Sequence, residues 1–295
     1  MSATSPTRLS YDVFVSDGPA GTGGERMPDG APLAWSPLSS TLIFGAHDAL
    51  LVDPPFTRTQ IRSVGDWVER SGRRLASIYA THGHGDHWFG TGELVKRFPS
   101  VTVYATEGTI EVMHHQAGQG REQLFDRIFP GQIPETPVLA EPIPAQGFRL
   151  EGNPVVAVET GHTDTDKTSV LHVPSIGLVA AGDVAYNGVH QYILEGGNGG
   201  LHEWLRALDR VADLHPRAVV AGHKNKDRPD DPAVLDETRQ YLQDVIRLLD
   251  DKPIRPGVLR PDDRALPGAA QPRRRLVRGT GAAGRVTRGG RSPGT

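Results

Sequence analysis

The chain has 295 residues with 32 Lys+Arg and 35 Asp+Glu, a formal net charge of -3, 37% hydrophobic side chains and no cysteine. That length and apolar share suffice for a buried core, and the lack of cysteine excludes a disulfide framework and any thiolate metal ligand. No run approaches eighteen apolar residues, and the N-terminus MSATSPTRLSYDVFVSD lacks a basic segment followed by an apolar one, so neither a membrane span nor a secretory signal is expected and the expected location is cytoplasmic.

TLIFG (41–45) and ALLVD (49–53) read as two apolar strands around a turn at 46–48, the second ended by Asp53-Pro54-Pro55. Residues 57–71 set Ile61, Val64, Trp67 and Val68 at helical spacing. The apolar run 75–80 leads into ATHGHGDHWFG (80–90). A helix over 91–97 is stopped by Pro99, VTVYA (101–105) reads as a strand, 107–130 reads as mainly helical, and Pro-rich loops reach about residue 147. VVAVET (155–160), SVLHV (169–173), IGLVAAGD (176–183) and RAVVAGH (217–223) read as strands. Residues 202–214 form a helix with Leu205, Leu208 and Val211 on one face, and 232–249 form another. Residues 252–295 hold eleven Lys+Arg against two Asp+Glu, a net of +9, which leaves -12 on residues 1–251. Arg, Gly, Pro and Ala dominate there without periodicity, so this tail is expected to be disordered. Such tails can bind nucleic acid, but a solvated tail is the expectation, after one domain over 1–251.

The stretch 80–90 poses the functional question. His82, His84 and Asp86 stand at i, i+2 and i+4, and His87 follows. In an extended chain the first three share one side, and Gly83 and Gly85 argue against a helix. Four such ligands in one loop are too many for one small ion, and two ions resolve the crowding. His162, Asp183 and His223 each follow a glycine at the end of an apolar strand, where they can point into a shared cleft. One strand-end His or Asp alone is more often a hydrogen-bonded structural residue. Seven in this order are not.

The motifs T-H-x-H-x-D-H at 81–87, G-H at 161–162, G-D at 182–183 and G-H at 222–223 resemble the signature of the metallo-β-lactamase superfamily, over roughly residues 35–250. The resemblance implies an α/β fold, a four-layer αβ/βα sandwich with two mixed β-sheets face to face, helices outside and metals at one edge. It implies a first metal on His82, His84 and His162, a second on Asp86, His87 and His223, and Asp183 as the bridge. The implied cofactor is two Zn2+, with iron and manganese left open. His and carboxylate donors suit zinc with an open position. Two ions about 3.5–4 Å apart can hold a bridging hydroxide and polarise a carbonyl, and zinc lowers the pKa of water from about 15.7 to near 7. Asp86 would orient that hydroxide or pass its proton to the leaving group. The family's redox branch usually has Glu where this chain has His84 and carries a flavin domain, so hydrolysis is favoured.

Without cysteine, the β-lactamase classes with a Cys ligand are excluded, and Asp183 as bridge matches the glyoxalase, lactonase and nuclease branches better. The 40-residue step from Asp183 to His223 leaves no room for the inserted domain of many nucleases. One helix after His223 is not the glutathione-binding module of glyoxalase II. Tyr186 stands three residues after Asp183, as in N-acyl homoserine lactonases, which implies that its hydroxyl stabilises the oxyanion; packing at the strand edge is the alternative. Trp88, Phe89, His190 and Tyr192 are pocket candidates, with packing an equal expectation for Trp88 and Phe89. Asp53 reads as a turn cap or as an acceptor for a ligand histidine. Lys224 and Lys226 read as a solvated loop beside His223, and His114 and His115 as surface or packing. The expectation is a binuclear zinc hydrolase acting on a small carbonyl substrate, a lactone, ester or thioester. Its rivals are a β-lactam hydrolase, a metal-dependent nuclease or phosphodiesterase, and a non-catalytic metal-binding module. Nucleic acid is not an expected partner, and the sequence leaves the oligomeric state open.

Overall fold

A computed structural model describes residues 7–27, 30–144 and 147–251; the basic tail at 252–295 lies outside them. The first half builds β1 (Ser10–Ser16), β2 (Leu38–Phe44), β3 (Asp48–Val52), α1 (Arg58–Arg70), β4 (Arg74–Tyr79), α2 (Thr91–Arg97), β5 (Thr102–Ala105), α3 (Glu107–His115), the single turn α4 (Asp126–Ile128) and the short β6 (Glu141–Pro142). The second half builds β7 (Phe148–Leu150), β8 (Asn153–Gly161), β9 (Thr168–Val173), β10 (Leu178–Asn187), α5 (Gly200–Ala212), β11 (Ala218–Lys224) and α6 (Val234–Asp251).

Both halves are mixed sheets. β3, β4, β5 and β6 run parallel in that order, with β2 antiparallel to β3 and β1 antiparallel to β2. In the other half β10 and β11 are parallel, and β9, β8 and β7 continue antiparallel from β10. The halves touch edge to edge between β2 and β11 at one residue pair, Leu38 with His223. That joint lies at a proposed ligand.

Strand alternation explains the layering. Along β3, Ala49 and Leu51 pack outward with Ile61, Val64 and Val68 of α1, whereas Leu50 and Val52 pack inward with Leu171, Val173 and Val220 of the other sheet. Along β10, Leu178 and Ala180 join that inner layer, whereas Val179 and Ala181 face Trp204, Leu208 and Leu242 of α5 and α6. Each central strand is thus buried on both faces, which is why these segments read as unbroken apolar runs. The product is the expected helix–sheet–sheet–helix stack. The start of α1 is fixed by a capping box, in which Thr57 Oγ1 accepts from Gln60 N and Gln60 Oε1 accepts from Thr57 N.

Three elements differ from expectation. β1 pairs along the whole of β2. The helix expected over 107–130 is divided, because after α3 the chain forms a π-helical stretch, Gln116–Phe125, that turns Phe125 into the core. Gly118 and Gly120 weaken the α-helical alternative there. Asp183 does not end its strand either: β10 continues to Asn187, with register shifts on either side of Gly182. Among the described residues no helix is long and apolar enough to cross a membrane.

Candidate metal centre

The site forms at the ends of β3, β4, β8 and β11 and at Asp183 within β10, and its imidazoles are held from behind. Asp53 follows β3 in a left-handed conformation, φ 51°, that Asp tolerates better than most residues. Its Oδ1 accepts from Thr81 N at 2.8 Å and its Oδ2 from Thr81 Oγ1 at 2.8 Å. Because the threonine proton is committed to Asp53, Thr81 Oγ1 accepts from His82 Nδ1 at 3.0 Å, and His82 Nε2 keeps its lone pair. Asp53 Oδ2 also lies 3.3 Å from His87 Nδ1, so Asp53 braces the ligand loop rather than capping a turn. His223 Nδ1 donates to Pro37 O at 3.0 Å, and His84 Nε2 donates to Glu195 Oε1 at 3.1 Å. For His82, His84 and His223 an acceptor fixes one ring nitrogen and leaves the other free for a cation.

The free atoms converge. His87 Nε2 lies 3.4 Å from His223 Nε2 and 3.3 Å from Asp183 Oδ1. His223 Nε2 lies 3.3 Å from Asp183 Oδ2 and 3.4 Å from Asp86 Oδ2. Three groups of donor atoms result: Asp86, His87 and His223; His82, His87 and Asp183; and His82, His84 and Asp164. Asp183 approaches His87 and His223 and shares a donor group with His82 and His87. His82 Nε2, Asp164 Oδ2 and Asp183 Oδ1 are buried without a hydrogen-bond partner. Orphaned buried atoms of this kind are costly unless a cation satisfies them, so the residues fit a bound metal.

The backbone leaves room for little else. A Cβ on Gly222 would stand 2.1 Å from Asp183 Oδ1, and one on Gly182, at φ +50°, would stand 2.2 Å from Thr81 Oγ1. Electrostatics follow from burial and pairing. Burial opposes ionisation of Asp86, Asp164 and Asp183, but the neighbouring histidines win and hold all three below the usual carboxylate range. Burial also opposes charge on His84, His87 and His223, yet their carboxylates raise all three. His82 goes the other way, because burial dominates and His87 repels its proton.

Six of the seven expected ligands meet here, and His162 is set apart. Its Nδ1 lies 2.6 Å from Asp166 Oδ1, and it joins no donor group. Tyr186 is buried, donates to Asp183 Oδ2 and stacks on the His223 ring, with centroids 5.5 Å apart. Its hydroxyl is therefore committed to Asp183. Trp88 and Phe89 are buried packing, with Trp88 Nε1 donating to Gly83 O at 2.9 Å. Tyr192 sets its ring 5.5 Å from that of His84, whereas His190 turns to Tyr241. Lys224 is not solvated as expected: it is buried in an ion pair with Asp230. Lys226, His114 and His115 are exposed. Sequence reasoning did not find Trp35, whose Nε1 donates to Asp86 Oδ2 at 2.8 Å from within a cluster of Phe56, Phe125 and Phe129. Glu195 and Asp164 were missed as well.

A recess of about 910 Å³ adjoins the site at His162 and Glu195. Its walls carry Glu107, Glu111, Glu159, Asp166, Glu195 and Glu203. Lys167 is its one lysine, and it is ion-paired with Glu111.

The family model described as "Metallo-beta-lactamase superfamily" matches residues 33–223. A hydroxyacylglutathione hydrolase of Chromohalobacter salexigens is 29% identical over 176 residues, 59% of this chain and 56% of that protein. One from Synechocystis sp. is 38% identical over 72 residues, 23% of this chain and 26% of that protein. The matches thus span between about a quarter and just over half of these two relatives. Among solved structures, a metallo-beta-lactamase from Pontibacter korlensis superposes with a TM-score of 0.56 at 17% identity, covering 80% of this chain and 99% of that one. That likeness concerns the fold.

Proposed function

Because the chain belongs to the metallo-beta-lactamase superfamily, we propose that it is a binuclear, zinc-dependent hydrolase of a small carbonyl substrate, with a thioester, ester or lactone as the bond cleaved. The observation that carries this reading is the set of buried His and Asp donors, of which His82 Nε2, Asp164 Oδ2 and Asp183 Oδ1 have no hydrogen-bond partner. The relatives' name, hydroxyacylglutathione hydrolase, moves the thioester to the front.

His82, His84, Asp86, His87, Asp183 and His223 would hold the metals, with a further donor from the loop after β8. A bound zinc pair supplies a water that is nucleophilic near neutral pH and polarises the carbonyl under attack. The protein's part is positioning. Asp86, kept ionised by its histidines and fixed by Trp35, would orient the attacking water by accepting a hydrogen bond from it. Tyr186 steadies Asp183. One feature weighs against glutathione itself as the leaving group: the carboxylate-lined recess opposes an anionic tripeptide.

The test is metal content together with proton release on a panel of thioesters, esters, lactones and β-lactams, with and without chelator. Two bound zinc ions and chelator-sensitive turnover of one carbonyl class are expected. Bound metal with silence across the panel would discard the carbonyl reading and send the assay to phosphodiesters.

A further inference from the structure

We infer that Asp164, and not His162, completes the first donor set with His82 and His84; the inference rests on the metal reading above. The first observation is where the chain puts each side chain. β8 and β9 pair in register up to Glu159, shift, and pair again at Gly161, which has φ +90°. A one-residue slip exchanges the faces of a strand. His162 therefore leaves on the recess side. A tight turn follows, closed by Thr163 N donating to Thr165 O at 2.9 Å, and it delivers Asp164 to the interior.

The second observation is what each side chain meets. Asp164 is fully buried. Its Oδ1 is fixed by Thr163 Oγ1 at 2.8 Å, which leaves Oδ2 to face 2.7 Å from His84 Nδ1 and 3.5 Å from His82 Nε2. Neither approach is an aligned hydrogen bond, and Oδ2 and His82 Nε2 both remain without one. A buried carboxylate between two imidazoles with open lone pairs is a cation's donor set. His162 also has a buried, unpartnered Nε2. That atom faces the start of α5 instead, where a Cβ on Gly200 would stand 2.5 Å from it. Its other nitrogen is held by Asp166, whose side chain is 75% exposed.

The exchange makes the two ends of the site alike. Each has two imidazoles and one carboxylate, His82, His84 and Asp164 at one end and His87, His223 and Asp86 at the other, with Asp183 between them. Such oxygen-richer sets accommodate iron or manganese as well as zinc.

The experiment uses the full chain loaded with Zn2+ and desalted. Metal content is measured for wild type, Asp164→Asn and His162→Gln, and the imidazole nitrogens of the wild type are followed by NMR during Zn2+ titration. Asp164→Asn should fall from about two metals to about one, while His162→Gln keeps both. The ring nitrogens of His82, His84, His87 and His223 should move, and those of His162 should not. Metal loss in His162→Gln, full retention in Asp164→Asn, or a ligand-type shift of a His162 nitrogen would each overturn the assignment. The wild-type titration decides the matter even if Asp164→Asn does not fold. A wild type that takes up no metal would remove the metal reading itself, and this assignment with it.

Discussion

At the residue scale, the site depends on acceptors that touch the back of each imidazole: Thr81 for His82, Glu195 for His84, Asp53 for His87 and the Pro37 carbonyl for His223. Supports of this kind are typically worth about 10–100-fold in metal affinity or activity. Tyr186 and Trp35 act the same way on carboxylates. Tyr186→Phe keeps the ring stacked on His223 but removes the donor to Asp183, so turnover should fall about tenfold or more while the melting temperature barely moves. Unchanged kinetics would show that Asp183 needs no such support. Trp35→Phe preserves the aromatic cluster and frees Asp86 Oδ2, and a drop of about tenfold in kcat at unchanged KM is the expected signature. The candidate donors were legible because His82, His84, Asp86 and His87 crowd one short loop and Asp183 and His223 each follow a glycine late in an apolar run. Trp35 and Glu195 were not, since their partners lie 51 and 111 residues away and no local pattern records such a contact. Asp164 was hidden for another reason: the register shift that turns it inward is not written in any spacing.

At the element scale, the two sheets are tied at both ends. The metal ligands tie one end. At the other, Glu151 sits with Gly152 in the two-residue turn between β7 and β8, both at positive φ, and reaches the turn between β2 and β3. Its carboxylate accepts from Ala46 N, His47 N and Asp48 N at 2.9, 2.6 and 2.8 Å. The donors at Asp48 and then His47 lower its pKa from 4.5 to about 2. A lowered carboxylate adds stability that is complete above its unfolded value and is lost as pH falls through its folded value. Glu151→Gln should therefore lower stability at pH 7 by no more than about 1 kcal/mol, given solvent screening, and the difference from wild type should fade as pH drops from 4.5 toward 2. A difference that is constant over that range would mean the charge plays no part. The long apolar strands and amphipathic helices were legible from periodicity. β1 was not, because its alternation is half-exposed, and the π-helical stretch was not, because the burial of Phe125 selects it over a helix that the local sequence only weakly opposes.

At the scale of the whole molecule, two consequences follow from placing charge around a metal centre between sheets. Metal that binds only the folded chain adds about 2.7 kcal/mol when present at 100 times its dissociation constant. In a domain of this size each kcal/mol moves the melting temperature by about 2–4 °C, so a chelator should lower it by about 5–10 °C in a calorimetric scan. An unchanged transition would deny the metals any share in the fold. The second consequence is selectivity. Residues 1–251 carry a net of -12, and six carboxylates face the recess beside the ligands. A concave, charged wall concentrates the field on whatever enters. Three matched acetyl thioesters test this: one with a quaternary ammonium leaving group, one with its uncharged isostere and one with a carboxylate. At low ionic strength kcat/KM should rank cation above neutral above anion, with about tenfold between the extremes. Raising the salt from about 0.01 M to 1 M shrinks the screening length from about 30 to 3 Å. The ranking should then collapse toward the neutral value from both sides. A ranking that survives high salt would belong to shape rather than charge, and one that favours the anion would mean that the substrate does not enter through the recess.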